Sequence, residues 1–198
     1  MIDILVWIGT LTFAAAGALT AVHRGFDIIG VLVLAAVTAI GGGSIRDMIV
    51  GVLPPSNFVN EPLLWAVAAT GVFVFFTHRR IRLESKRLYV LDTIGLSAFA
   101  ALGAEQGLTH GMGFWGTIFA GAVSGVGGGI LRDVLSGQVP GVFYRSGDFY
   151  ATAAAIGSLL FFLLYPLSPG WALVAGVVGT ATVRIGSRLL RLKLPVTR

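Results

Sequence analysis

Residues 4–22, 28–45, 62–77, 106–131 and 149–183 contain no Lys, Arg, Asp or Glu, and this property decides what the chain can fold into. A helix needs about 20 mostly apolar residues to cross about 30 Å of hydrocarbon. Only 12% of the residues are charged and 56% are hydrophobic, with a mean hydropathy of +0.88. A soluble domain carries about 25% charge, so this chain has too little to solvate its own exterior. The longest window exceeds one crossing, and Pro166 and Pro169 divide it. The spans read as residues 4–22, 27–53, 63–77, 88–105, 114–137, 149–165 and 170–190. The fold class is therefore an all-α integral membrane protein with seven transmembrane helices, in a single membrane domain over 1–198. There is no Cys, which excludes disulfides, thiolate metal sites and cysteine nucleophiles.

The basic residues set the orientation. Of the 14 Lys and Arg, Arg79, Arg80, Arg82, Lys86 and Arg87 fall in the third loop, Arg24 in the first and Arg145 in the fifth. Arg184, Arg188, Arg191, Lys193 and Arg198 lie at the C-terminal end, and the second, fourth and sixth loops have none. Seven crossings put all of these on one side, so the positive-inside rule places the N-terminus outside and the C-terminus in the cytoplasm of a bacterial or archaeal inner membrane. The net charge of +5 thus reads as a topology signal, with contact to anionic lipid as a further use, and no nucleic-acid partner is expected. The first span lacks a basic n-region and cleavage site, and reads as a retained helix.

The chain repeats itself. Shifted by 86 residues, Leu5, Ile8, Gly9, Phe13, Gly17 and Gly25 fall on Leu91, Ile94, Gly95, Phe99, Gly103 and Gly111. Gly41, Gly42 and Gly43 fall on Gly127, Gly128 and Gly129, and Arg46-Asp47 on Arg132-Asp133. Gly51, Pro54, Gly71 and Phe75 fall on Gly137, Pro140, Gly157 and Phe161, and Phe58 meets Tyr144. Each copy, about 4–77 and 88–165, holds three crossings. An odd number forces the second copy to enter the membrane from the opposite side, giving two inverted three-helix repeats plus a seventh helix over about 170–190. Inverted repeats with interrupted helices characterise proteins that move solutes.

Three glycines in a row weaken a helix by about 1 kcal/mol each relative to Ala, so both triplets predict a kink or an unwound turn on a hydrated internal path. The alternative is a close helix crossing through small residues, which Gly121 and Gly125 suit better. Arg46, Asp47, Arg132 and Asp133 follow within the spans, where charges face a cavity or a partner. Neighbours on a helix point about 100° apart, so the expected pairs run between repeats, Arg46 with Asp133 and Arg132 with Asp47. A half-helix ending at each triplet would aim its carbonyls and negative dipole end at a cation. A purely structural salt-bridge network is the competing reading of the same charges. Thr10, Thr38, Ser44, Ser97 and Ser124, with Thr12 and Thr20, are weaker pore-lining candidates whose hydroxyls are as readily bonded to the i−4 carbonyl. Asp92 and Glu105 stand near opposite mouths, as cation concentrators or as helix-end residues.

The doubled GGGxxRD pattern in a three-plus-three-plus-one plan resembles the prokaryotic branch of the trimeric intracellular cation (TRIC) channel family, over about residues 3–190. The resemblance implies a homotrimer in the lipid bilayer, each subunit enclosing its own pore for potassium-like or sodium-like monovalent cations. It places that pore among the first, second, fourth and fifth helices, kinked at Gly41, Gly42, Gly43 and Gly127, Gly128, Gly129. Ser44-Ile45-Arg46-Asp47 departs from the basic lipid-binding motif of animal members, so phosphoinositide dependence is not implied. The same bacterial domain family is associated with glycine uptake, which keeps a secondary transporter for a small neutral solute as the alternative function. No cofactor is expected beyond permeating ions and bound lipid.

Enzyme readings fare worse. His23, His78 and His110 fall in loops with no carboxylate at metal-ligand spacing. Gly111, Gly113 and Gly116 match GxGxxG by chance, with no strand before them, and there is no Walker motif.

Overall fold

The computed structural model describes residues 1–78, 85–143 and 149–192. The basic residues Arg79, Arg80, Arg82, Arg145, Lys193 and Arg198, and the partner Tyr144 expected for Phe58, lie outside the described residues. The long helices are α1 (Ile2–His23), α2 (Ile28–Val50), α3 (Glu61–Thr77), α4 (Ser85–Thr109), α5 (Phe114–Leu135), α6 (Ala151–Leu164) and α7 (Pro169–Leu189), with a helical turn at Ser56–Val59 and a 3₁₀ turn at Gly141–Phe143. All seven expected spans are present, with ends shifted by a few residues. Among the described residues five helices are long and apolar enough to cross a membrane, whereas α3 and α6 have 17 and 14 residues. Those two are the third helices of their repeats, so the shortness is itself repeated.

Helix ends follow local chemistry. The Asp27 carboxylate accepts the Gly30 amide at 2.7 Å and caps α2, while Asn60 accepts Leu63 N at 3.2 Å at the start of α3, where Pro62 needs no partner for an absent N–H. Gly51 and Gly137 end α2 and α5 at φ +83° and +71°, and Gly25 and Gly111 turn at +76° and +81°. Only glycine adopts that left-handed region at little cost, and the four form two pairs one repeat apart.

Helix α2 runs unbroken from Ile28 to Val50 and α5 from Phe114 to Leu135. Of the kink or unwound turn expected at the triple glycines, the unwound turn is therefore corrected, and with it the half-helix ends that would have aimed carbonyls at a cation. The glycines serve the close crossing instead. A Cβ on Gly42 would strike the Ser124 carbonyl oxygen, and one on Gly128 would strike that of Thr38. Thr38 and Ser124 are equivalents, so α2 and α5 cross antiparallel about a pseudo-two-fold axis. Around that axis Gly17 abuts the Leu34 carbonyl as Gly103 abuts that of Ala120, at 2.5 and 2.7 Å from an added Cβ. Phe13 stacks on its own equivalent Phe99, with centroids 5.5 Å apart and planes 18° from parallel. The repeats are thus inverted. Helix α3 packs on α1 and α2, α6 on α4 and α5, and α7 on α6 and α4.

The outer surface is apolar, as lipid contact requires. Trp65, Trp115 and Trp171 are about three-quarters exposed and stand in the opening turns of α3, α5 and α7, and Trp7 is near the start of α1. Odd-numbered helices start at the same end of the bundle, so all four indoles ring the end opposite Lys86, Arg87 and Arg188, as an interfacial belt does.

Candidate functional site

Charges gather in two buried clusters, one at the C-terminal end of α2 and one at that of α5, at opposite ends of the crossing. In the first, Arg46 Nε and Nη2 donate to Asp47 Oδ1 at 2.9 and 2.6 Å. Its Nη1 donates to Ser124 Oγ at 3.3 Å. The free oxygen of Asp47 accepts the amide and hydroxyl of Ser56 at 2.8 and 2.7 Å, which ties the turn after α2 back onto the helix. Asn57 of the same turn donates to the Ile40 carbonyl at 3.3 Å and lies over Gly43. Arg46 and Asp47 are 6% and 1% exposed. Glu105, half-buried on α4 and held by Gln106 Nε2 at 3.1 Å, stands within the electrostatic reach of Arg46.

The second cluster is larger. Arg132 Nε and Nη2 hold Asp133 Oδ1 at 3.0 and 2.9 Å, and Nη1 donates to Asp92 Oδ1 at 2.6 Å. Arg184 Nη2 donates to Asp92 Oδ2 at 2.7 Å, and the Tyr150 hydroxyl reaches Oδ1 at 3.4 Å. Arg184 also lies against the faces of Tyr150 and Tyr89, 4.4 and 5.0 Å from their centroids. Asp133 Oδ2 accepts Gly141 N at 3.1 Å, much as Asp47 accepts Ser56. Asp92 and Asp133 face Arg132 and Arg184, so two carboxylates balance two guanidiniums. A buried charge persists only when so compensated.

The expected pairing between repeats is corrected: Arg46 holds Asp47 and Arg132 holds Asp133, each within its own repeat. The 100° rule describes where two adjacent side chains leave the helix. An arginine has enough rotatable bonds to curl its guanidinium back over the next residue. The two clusters are too far along opposite ends of the crossing to exchange partners. The pseudo-symmetry breaks at Asp92, whose equivalent is Val6.

The hydroxyls fall into two groups. Thr12, Thr20, Thr38, Ser44 and Ser97 donate to i−4 carbonyls at 2.6–2.8 Å. Ser124 instead faces Arg46, and Thr10 is fully buried with no hydrogen-bond partner among the described residues. Ser56, Asn57, Tyr150 and Arg184 belong to the clusters but were not apparent as site residues from sequence. Arg184 had a signal: Leu173, Gly176, Thr180, Arg184 and Ser187 recur every three to four residues and, with Ala172, form the buried face of α7, which puts the charge inside the protein rather than on its basic rim.

Because Asp47 sits in this network and Glu61 is exposed at the start of α3, Asp47→Asn is expected to lower stability by about 1–3 kcal/mol, the cost of a buried group left incompletely partnered. Glu61→Gln is expected to stay within about 0.5 kcal/mol. Thermal melting in detergent reads both, and equal effects would refute the burial of Asp47.

The comparisons with known proteins match the same architecture. A family model described as "Glycine transporter" matches twice, over residues 3–79 and 89–166, one copy on each repeat. A UPF0126 membrane protein of Deinococcus radiodurans is 43% identical over 96% of this chain and 89% of its own length. The UPF0126 inner membrane protein YadS of Escherichia coli K12 is 35% identical over 95% and 92%. Among solved structures, a TRIC cation channel described for its basis of conductance superposes with a TM-score of 0.89 at 37% identity, over 99% of this chain and 97% of that one. The trimeric intracellular cation channel orthologue from Rhodobacter sphaeroides gives 0.90 at 35%, over 96% and 98%.

Proposed function

Since the chain belongs to the prokaryotic TRIC channel family, which the glycine-transporter model also describes, we propose that it is a potassium-type monovalent cation channel and works as a homotrimer with one path per subunit. The path runs along the α2–α5 crossing, flanked by α1 and α4, between the Arg46–Asp47 cluster and the Asp92–Arg132 cluster. The observation that carries this reading is the pair of equivalent carboxylates, Asp47 and Asp133, each held by its neighbouring arginine at opposite ends of one crossing. Carboxylates at both ends attract cations and repel anions. In this conformation guanidiniums neutralise them, so the conformation is a closed one, and conduction requires the ion pairs to part and water to enter. Positive-inside orientation puts Arg46 and Asp47 outside and Asp92, Arg132 and Arg184 at the cytoplasmic end.

Purified protein in planar bilayers is expected to give single-channel currents whose reversal potential, in a potassium chloride gradient, follows the cation. Electrically silent protein of intact fold would overturn the reading. The second reading, a carrier of a small neutral solute such as glycine, is favoured by the family model's description. It predicts saturable glycine uptake into proteoliposomes with competition by analogues, which a channel does not give.

A further inference from the structure

The two repeats differ beyond their third helices. Shifted by one repeat, the start of α4 (Lys86 and Arg87) falls on the start of α7 (Ala172 and Leu173). In the second repeat that place is closed. Ala172 and Leu173 are buried with Ala101 and Phe161, and α7 lies so near α6 that a Cβ on Gly157 would strike Thr180. In the first repeat α3 and α4 do not pack side by side among the described residues. Between them and α1 remains a slot of about 580 Å³, walled by Leu19, Phe73, Val74 and Val90, with Lys86 and Arg87 at its head. Among the described residues no carboxylate lines it, and Thr70, its one hydroxyl, is bonded to its own helix at the Ala66 carbonyl. The slot lies at the end of the bundle away from the indole belt, on the side that carries Arg188.

We propose that this slot is a binding site for an anionic phospholipid of the leaflet on the basic side, with one acyl chain between α1, α3 and α4 and the phosphate between Lys86 and Arg87. The chemistry on each side matches. The walls offer a dry apolar surface to an acyl chain, and each methylene removed from water or poor packing favours it. The head offers two exposed cations at the basic end of the bundle, and no acid among the described lining residues neutralises them. A zwitterionic lipid would bring its own positive group against both, so headgroup charge decides the occupant. The site is separate from both buried clusters and holds whether the protein is a channel or a carrier. The lipid would fill for the first repeat the place that α7 fills for the second.

The test uses the full-length protein in nanodiscs with phosphatidylglycerol or phosphatidylcholine carrying a photoactivatable group on the acyl chain, followed by peptide mapping. Peptides with Phe73, Val74 and Val90 are expected to be labelled about tenfold more by the glycerol lipid, equivalent to about 1.4 kcal/mol. The exposed pair of changes Lys86→Gln and Arg87→Gln is expected to erase that preference while leaving oligomer size and melting temperature unchanged. Ala15→Leu, which fills the slot from α1, is expected to reduce labelling with both basic residues in place. Equal labelling by the two headgroups would mean ordinary annular lipid and overturn the proposal. So would full labelling of Ala15→Leu. The absence of native Cys allows one more arm: Phe73→Cys is expected to form no disulfide between subunits, and efficient crosslinking there would reassign the slot to a second copy of the chain.

Discussion

Asp92→Asn is expected to destabilise the protein by about 3–5 kcal/mol. One carboxylate with its two oxygens 2.6 and 2.7 Å from Arg132 and Arg184 compensates two guanidiniums that are 7% and 5% exposed. An asparagine keeps one acceptor and no charge. Removing one partner of a buried ion pair costs about that much because the other charge stays behind, and here Arg184 stays behind with no carboxylate while Arg132 keeps Asp133. Unfolding by detergent titration measures the loss. The double change Asp92→Asn with Arg184→Met removes the orphaned charge and is expected to recover part of the loss, whereas additive losses would show that Asp92 and Arg184 are not coupled.

Gly42→Ala and Gly128→Ala are expected to lower stability by about 1–3 kcal/mol each, against the gain of about 1 kcal/mol that alanine brings to an unobstructed helix. The obstruction is a main-chain carbonyl of the facing helix, which cannot swing aside as a side chain would, so α2 and α5 must separate. The same axis relates both sites, so their effects should agree. Gly186, with nothing near an added Cβ, is the control, and Gly186→Ala should be neutral or slightly stabilising. Melting temperatures decide between this and a hinge role: a role in flexibility alone would spare stability and change only flux.

The fold was largely legible in the sequence because the membrane imposes a coarse rule. Charge-free windows marked six of the seven helices, the exception being α4 with Asp92 and Glu105 inside it, and three crossings in each copy of the repeat required the inversion. The site was legible as a set of residues and not as a set of partners. Which guanidinium meets which carboxylate depends on how a long side chain curls at a helix end, as Arg46 does over Asp47, and residue spacing does not carry that. The triple glycines had two physical readings, weak helix or close approach, and only what stands opposite Gly42 shows the close approach. The turn holding Ser56 and Asn57 was missed because four residues after a proline pair carry no periodicity.

The stacking of Phe13 on Phe99 has a consequence for how the molecule changes. A residue that faces its own equivalent across a two-fold axis makes an isologous contact. Two unlinked three-helix units, inserted in opposite directions, would meet through this same surface. In such a pair every substitution would occur on both sides at once, so an acid introduced at position 6 would bring its twin and both would need a counter-charge. One continuous chain removes that obligation. Each half can then take a different residue at an equivalent place, and Val6 opposite Asp92, with Arg184 supplied by the helix that belongs to neither half, is the asymmetry that such freedom permits.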